Sequence, residues 1–200
     1  MAFAELCIIP YEADGVVFHA DSISTATITN EGKYPGIRLK VLAQLGNIKQ
    51  NLQIDIGFGD IVTPKPVWME YPVLLDLEAP EIQAYSVETV IAEKFEAMID
   101  LGELNSRMKD FYDLYRLLQP GKYDRNTLVE AIKATFKNRQ TPYIDNHPLF
   151  QDKFASDKNR LAQWNAFLRK SKLDVVEFRE VHGIIREVLE GVYGELRGFD

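Results

Sequence analysis

Three places in the sequence put ionisable side chains where plain surface chemistry does not account for them. Asp55 lies between Ile54 and Ile56 in Gln53-Ile-Asp-Ile-Gly-Phe-Gly-Asp60. Aspartate is disfavoured in the middle of a strand. It is therefore either a solvated acid on an open strand face or an acid fixed on a rigid element to ligate a hard cation such as Mg2+. Lys94 lies three residues after Ile91 and four before Met98, so it shares the side of an apolar helical stripe. There it either lays its stem on the core and snorkels or serves a pocket. The third place is Arg107-Met-Lys-Asp-Phe-Tyr-Asp113. Arg107 and Asp110 have the spacing to pair, as do Asp110 and Asp113 with other neighbours one turn away. Acids in a first helical turn also complement the helix dipole. Asp110 borders Phe111, and a Lys94–Asp110 pair across a helical hairpin is compatible with the spacing. Asp60, past two glycines, reads as a turn acid.

Other chemistries find no support. The single cysteine, Cys7, excludes a disulfide framework and a cysteine-based zinc site within one chain. His19, His147 and His182 lie far apart and read as structural or surface residues. No P-loop, GxGxxG or GxSxG occurs, and Gly57-Phe-Gly59 is too short to cradle a phosphate. Trp164 and Phe167 read as a helical core stripe rather than a base-stacking platform.

The elements that position these residues fall into two regions. Gly15–Ala20 and Ser22–Thr29 read as strands parted by a turn at Asp21. Ile37–Leu45 alternates at period two, Gly46-Asn47 reads as a hairpin turn, and Gln50–Phe58 follows. In that last strand Leu52, Ile54, Ile56 and Phe58 share one face, expected to pack under helices, and Asp55 faces the other way. Residues 59–84, with Pro64, Pro66, Pro72 and Pro80, read as loop. From Ser86 the period becomes 3.6. Val87, Ile91, Phe95, Met98 and Ile99 form one stripe, with Ser86 as cap and Gly102 as stop. A second helix starts at Asn105 or Ser106, with Phe111, Leu114, Tyr115 and Leu118 as its stripe, and ends at Pro120-Gly121. Further helices are expected near 124–138, 148–155, 157–170 and 174–196. The expected class is α+β, with a β-rich part over 1–84 and a helical part over 85–200.

Composition bounds the function. The 200 residues are 46% hydrophobic and 26% charged, an ordinary globular balance with material for a real core. Lys and Arg number 23 against 30 Asp and Glu, a net charge of −7. The first hundred residues carry 6 basic and 15 acidic residues, the second hundred 17 and 15. An acidic chain is a poor coat for DNA, since that affinity comes from neutralising phosphates, and no sequence-specific DNA binding is expected. A local basic surface on the second half is compatible with the count. No apolar run reaches the length of a membrane span, and the first residues lack a basic n-region, so a cytoplasmic protein is expected.

Three blocks, Gln53–Asp60, Tyr85-Ser-Val-Glu-Thr-Val-Ile-Ala-Glu-Lys-Phe-Glu-Ala97 and Asn105-Ser-Arg-Met-Lys-Asp-Phe-Tyr-Asp-Leu114, together resemble the AbiEii/AbiGii toxin family of nucleotidyltransferases in order and spacing. The resemblance extends to Ala131–Arg139 and the Trp164 helix. It implies a polymerase-β-like nucleotidyltransferase core with a helical C-terminal part. It also implies a toxin from a toxin–antitoxin or abortive-infection module, with a cognate antitoxin as partner. The activity implied is transfer of a nucleotide from a nucleoside triphosphate, with Mg2+ as cofactor, to an acceptor that is RNA (tRNA in studied relatives) or protein. Carried over by position, Asp55 is the second-motif acid and a metal ligand. Lys94 contacts nucleotide phosphates, Asp110 supports that lysine or moves a proton, and Arg107 and Lys109 flank the nucleotide. One departure is clear. The family's first motif, a small-residue turn followed by Asp-x-Asp, has no counterpart, because the sequence contains no Asp-x-Asp. Residue 1 is then expected to fall inside the fold, the metal site to be weak, and transfer by this chain to be poor. The alternative is a non-catalytic remnant that binds an antitoxin or RNA.

Overall fold

The computed structural model describes residues 2–11, 14–29, 35–59 and 61–198. The class is α+β, as the sequence indicates. Two compact units result, Met1–Asp60 with Pro72–Ala79, and Ile61–Tyr71 with Pro80–Asp200.

The first unit is an antiparallel sheet in the order β1 (Val16–Thr29), β2 (Pro35–Leu45), β3 (Ile48–Gly57), with a short helix α1 (Ala2–Cys7) packed against β1. Leu45 pairs with Ile48 across Gly46-Asn47. Gly46 has φ +57°, a conformation that costs little without a Cβ. Two expectations fail here. β1 is one strand, not two strands parted by a turn at Asp21. His19 faces Leu42 and Ser24 faces Lys40, so residues 20–23 bulge opposite Val41. The Ser22 hydroxyl closes the gap, donating to the His19 carbonyl at 2.6 Å and accepting from the Leu42 N–H at 2.8 Å.

The second failure concerns β3. Its alternation is as read, with Ile54 opposite Leu39 and Leu52 opposite Val41. Yet Leu39, Val41 and Ala43 are buried while Leu52, Ile54 and Phe58 stay exposed. Among the described residues β3 is the edge strand of this sheet, and the expected burial of its apolar face is not observed.

The second unit holds a short pair of antiparallel strands, β4 (Val67–Glu70) and β5 (Glu81–Ala84), in a stretch that reads as loop. Pro66, Pro72 and Pro80 lie outside both strands and so do not block the ladder. Then come α2 (Val87–Leu101), a 3-10 turn at Gly102–Leu104, α3 (Met108–Leu117) and α4 (Arg125–Arg139). A 3-10 turn at Pro148–Phe150, α5 (Asp152–Ser156), α6 (Lys158–Ser171) and α7 (Phe178–Gly194) complete the unit. The single helix expected over 148–155 is therefore a 3-10 turn and a short helix, parted at Gln151, whose backbone is extended.

The core is aromatic. Phe95, Phe136, Phe150 and Tyr193 meet in one group, and Phe111, Phe154, Trp164 and Phe178 in another. The Trp164 indole N–H donates to the Val176 carbonyl at 2.7 Å, which satisfies its buried polar atom. The buried histidines are structural. His147 Nδ1 accepts from the Leu149 N–H, so its Nε2–H donates to the Ile99 carbonyl at 3.0 Å. His182 Nε2 meets the Leu149 carbonyl at 2.6 Å. Burial pushes both imidazoles below their usual pKa. His19 pairs with Gln44 on the sheet.

Candidate functional site

The packing of α2 on α3 builds the site. Ser86 caps α2 by accepting the Thr89 N–H. Ile91, Ala92, Phe95, Met98 and Ile99 bury one face of the helix. Gly102, at φ +51°, stops α2 and returns its N–H to the Met98 carbonyl. The chain turns back, and the Asn105 side-chain oxygen accepts the Arg107 N–H at 2.8 Å where α3 begins. Met108, Phe111 and Leu114 bury the facing side of α3. On both helices the residues beside these stripes are the charged ones: Lys94 on α2, Asp110 and Asp113 on α3.

They meet at short range. Lys94 Nζ lies 2.6 Å from Asp110 Oδ1 and 2.7 Å from Asp113 Oδ2. Lys109 Nζ reaches the same Asp113 oxygen at 2.6 Å from the next turn of α3. Side-chain exposure is 19% at Lys94, 18% at Asp110 and 24% at Asp113, against 74% at Lys109. Burial pushes the Lys94 ammonium down, but hydrogen bonds and charge from Asp110 and Asp113 outweigh it, and its pKa is raised. Burial likewise pushes Asp113 up, and its bonds to Lys109 and Lys94 bring it below the usual carboxylate range. The lysine is thus held charged. Two carboxylates account for two of its three N–H donors, which leaves one for an oxyanion.

Asp113 is the member that the sequence reading passed over as a site residue. Its signal was present, one turn after Asp110 and four residues after Lys109. Arg107 does not pair with Asp110 as its spacing allowed. Its exposed guanidinium has no hydrogen-bond or ion-pair partner among the described residues.

Behind Lys94, α2 is tied to α4. Arg139 pairs with Glu93 and, at 2.6 Å, with Glu96; the Thr141 hydroxyl also donates to Glu96. Glu96 is buried, so this clamp orients α2 and with it Lys94.

Asp55 belongs to the other unit. Arg38 stands directly opposite it in the ladder, and the guanidinium donates Nε to Oδ1 and Nη2 to Oδ2, both at 2.8 Å. Gln53 adds a contact at 3.3 Å. The hydrogen bond from Arg38 holds the Asp55 carboxyl below its usual pKa. Both oxygens are engaged. Among the described residues no group of three or more His, Cys, Asp or Glu side chains is placed to hold a metal ion. With both oxygens bonded to Arg38, Asp55 does not fit a Mg2+ ligand. Asp60 lies outside the described residues.

The family model for nucleotidyl transferase AbiEii toxin, type IV toxin–antitoxin system, matches residues 1–183. No curated protein and no solved structure matches the chain. The matched family carries a nucleotidyltransferase-type function within toxin–antitoxin systems, which implies a nucleoside triphosphate substrate and an antitoxin partner. No helix among the described residues is long and apolar enough to cross a membrane.

Proposed function

We propose, from the premise that the chain belongs to the AbiEii nucleotidyl transferase toxin family of type IV toxin–antitoxin systems, that Lys94 holds the phosphates of a nucleoside triphosphate for transfer of a nucleotide to RNA or protein. The observation that carries this reading is the charged, half-buried Lys94, fixed by Asp110 and Asp113 with one donor to spare. A lysine acts on phosphate as a compact point charge. Arg107 and Lys109, both exposed at the start of α3, add positive charge for the rest of the triphosphate.

In this reading the acceptor hydroxyl oxygen attacks the α-phosphorus and its proton passes to a carboxylate, for which Asp110 is the candidate. The bond from the α-phosphorus to the bridging oxygen breaks, and pyrophosphate leaves with that oxygen. Lys94 offsets the negative charge that grows on the leaving group. Nucleotidyltransferases generally use a divalent metal. Arg38 engages both oxygens of Asp55, the acid carried over as the metal ligand. The cytoplasm is the proposed compartment, with the antitoxin restraining the activity.

A second reading, a protein that binds nucleotide or RNA without transfer, draws support from the engagement of both Asp55 oxygens by Arg38. Labelled triphosphates incubated with mixed RNA separate the two. Slow transfer that stops in Lys94→Ala supports the first. Triphosphate binding without any transfer supports the second. Transfer that survives Lys94→Ala removes the role given to the lysine.

A further inference from the structure

Away from the Lys94 cluster, one helix of the second unit is basic without compensation. α6 contains no Asp or Glu in its 14 residues, in a chain of net charge −7. Trp164, Leu168 and Arg160 turn into the core. The opposite side carries Lys158, Arg169, Lys170 and, at the cap, Lys172, all exposed. Lys158, Arg169 and Lys172 recur at helical spacing and fall in one stripe along the axis, with Lys170 beside it. The row from Lys158 to Lys172 is about 21 Å long.

None of these four side chains pairs with an acid among the described residues. The nearest acids in sequence lie past the two ends of the helix, and Asp157 accepts the Arg160 backbone N–H at 2.8 Å as the cap. Cations on three other helices do meet acids: Lys109 pairs with Asp113 on α3, Arg186 with Glu190 on α7, and Arg125 and Lys133 of α4 with Glu195. Among the α6 cations stand three carboxamides, Asn159, Gln163 and Asn165, exposed and also without a partner among the described residues. Ala162 and Ala166 lie between them, so the face is low and another backbone can come close to it.

A row of like charges fits an anion whose own charges repeat. No large apolar side chain of α6 is exposed. That argues against a protein partner, which needs an aromatic or aliphatic anchor, and against a membrane surface, into which apolar side chains must insert. A phosphodiester backbone needs neither. The carboxamides select between its two forms. A DNA backbone offers only acceptors and leaves the amide oxygens unused, whereas an RNA 2′-hydroxyl both donates and accepts. We propose that the exposed face of α6 docks RNA, with Lys158, Arg169, Lys170 and Lys172 on phosphates and the three carboxamides on 2′-hydroxyls. The surface does not rest on the role given to Lys94.

The test is a fluorescence-anisotropy titration of a labelled RNA hairpin with the 200-residue chain over a range of sodium chloride. No nucleotide is present, so the outcome is separate from any phosphate contact by Lys94. A DNA hairpin of the same sequence and a labelled polyglutamate peptide run beside it. Four phosphate contacts predict that the logarithm of the binding constant falls with that of salt at a slope of about −3. Lys158→Gln, Arg169→Gln, Lys170→Gln and Lys172→Gln together should weaken RNA binding at least about tenfold and bring the slope close to zero. Lys40→Gln, Lys49→Gln, Lys65→Gln and Lys122→Gln remove the same charge elsewhere, and should keep the slope and most of the affinity. Asn159→Ala, Gln163→Ala and Asn165→Ala together should lower the affinity for RNA to that for DNA. No RNA binding at low salt, equal losses in the two fourfold variants, or DNA bound by the parent chain as tightly as RNA overturns the proposal. Polyglutamate bound as tightly as RNA overturns it too, since the face would then suit an acidic protein.

Discussion

The same pairing of a cation with a carboxylate occurs in both units, and its surroundings give it different meanings. On the sheet, Arg38 and Asp55 form a symmetric two-bond pair across neighbouring strands, with side-chain exposures of 39% and 45%. On the helices, Lys94 meets two carboxylates at once, the three side chains exposed by 18–24%, with a second, exposed lysine beyond. In water the first pair is screened and nearly isoenergetic with its separated ions. The second is held by two helices whose adjoining apolar stripes form the core, so its geometry is set by packing rather than by its own attraction. A pair closed on itself has little left for a ligand. A lysine with an uncommitted donor in a half-buried setting has more, and the functional weight moves from the strand acid to the helix lysine.

The sharpest contrast should come from apolar truncations. Phe95→Ala, at a fully buried position under Lys94's helix, is expected to cost about 3–5 kcal/mol in urea unfolding. Ile54→Ala, on the exposed face of β3, should cost about 1 kcal/mol or less. Similar losses at both would mean that β3 is covered after all. Next in size, Asp110→Ala with Asp113→Ala leaves Lys94 half-buried and unpaired. After allowance for solvent screening, about 1–2 kcal/mol is expected. The pair of substitutions should also bring the lysine pKa down, because desolvation then acts alone.

The pH dependence has a definite sign. The folded pKa of Asp113 is lowered, so its contribution is present above the unfolded carboxylate pKa and is lost as pH falls through the folded value. The folded pKa of Lys94 is raised, so its contribution is present below the unfolded lysine pKa and is lost as pH rises through the folded value. Lys94→Met should therefore flatten the stability profile at both the acid and the alkaline end. A profile unchanged at both ends would contradict the pairing. The smallest effect belongs to the sheet pair. Arg38→Ala should leave the unfolding midpoint at high salt indistinguishable from that of the parent chain.

Much of this was legible in the sequence, for reasons that differ by element. The helices announced themselves through a 3.6-residue period and through Ser86, Asp124 and Asp157 at their starts, all three of which accept a backbone N–H as caps. The Arg38–Asp55 pair was recoverable too. Arg38 lies seven residues before Leu45 and Asp55 seven after Ile48, so the turn at Gly46-Asn47 sets them opposite each other. The exposure of Leu52 and Ile54 was not legible, because alternation says which residues share a face and not whether anything covers it. β4 and β5 were hidden by the prolines around them, and the β1 bulge by Ser22, whose hydroxyl does the work of a backbone group.

Calorimetric titration with each of the four common ribonucleoside triphosphates tests the role of Lys94 as the phosphate contact most directly. The parent chain, Lys94→Ala and Asp55→Asn are compared under the same salt. The prediction is measurable binding by the parent and by Asp55→Asn, and loss of at least about tenfold in affinity in Lys94→Ala. Binding that survives Lys94→Ala and disappears in Asp55→Asn would return the site to the sheet and contradict the account.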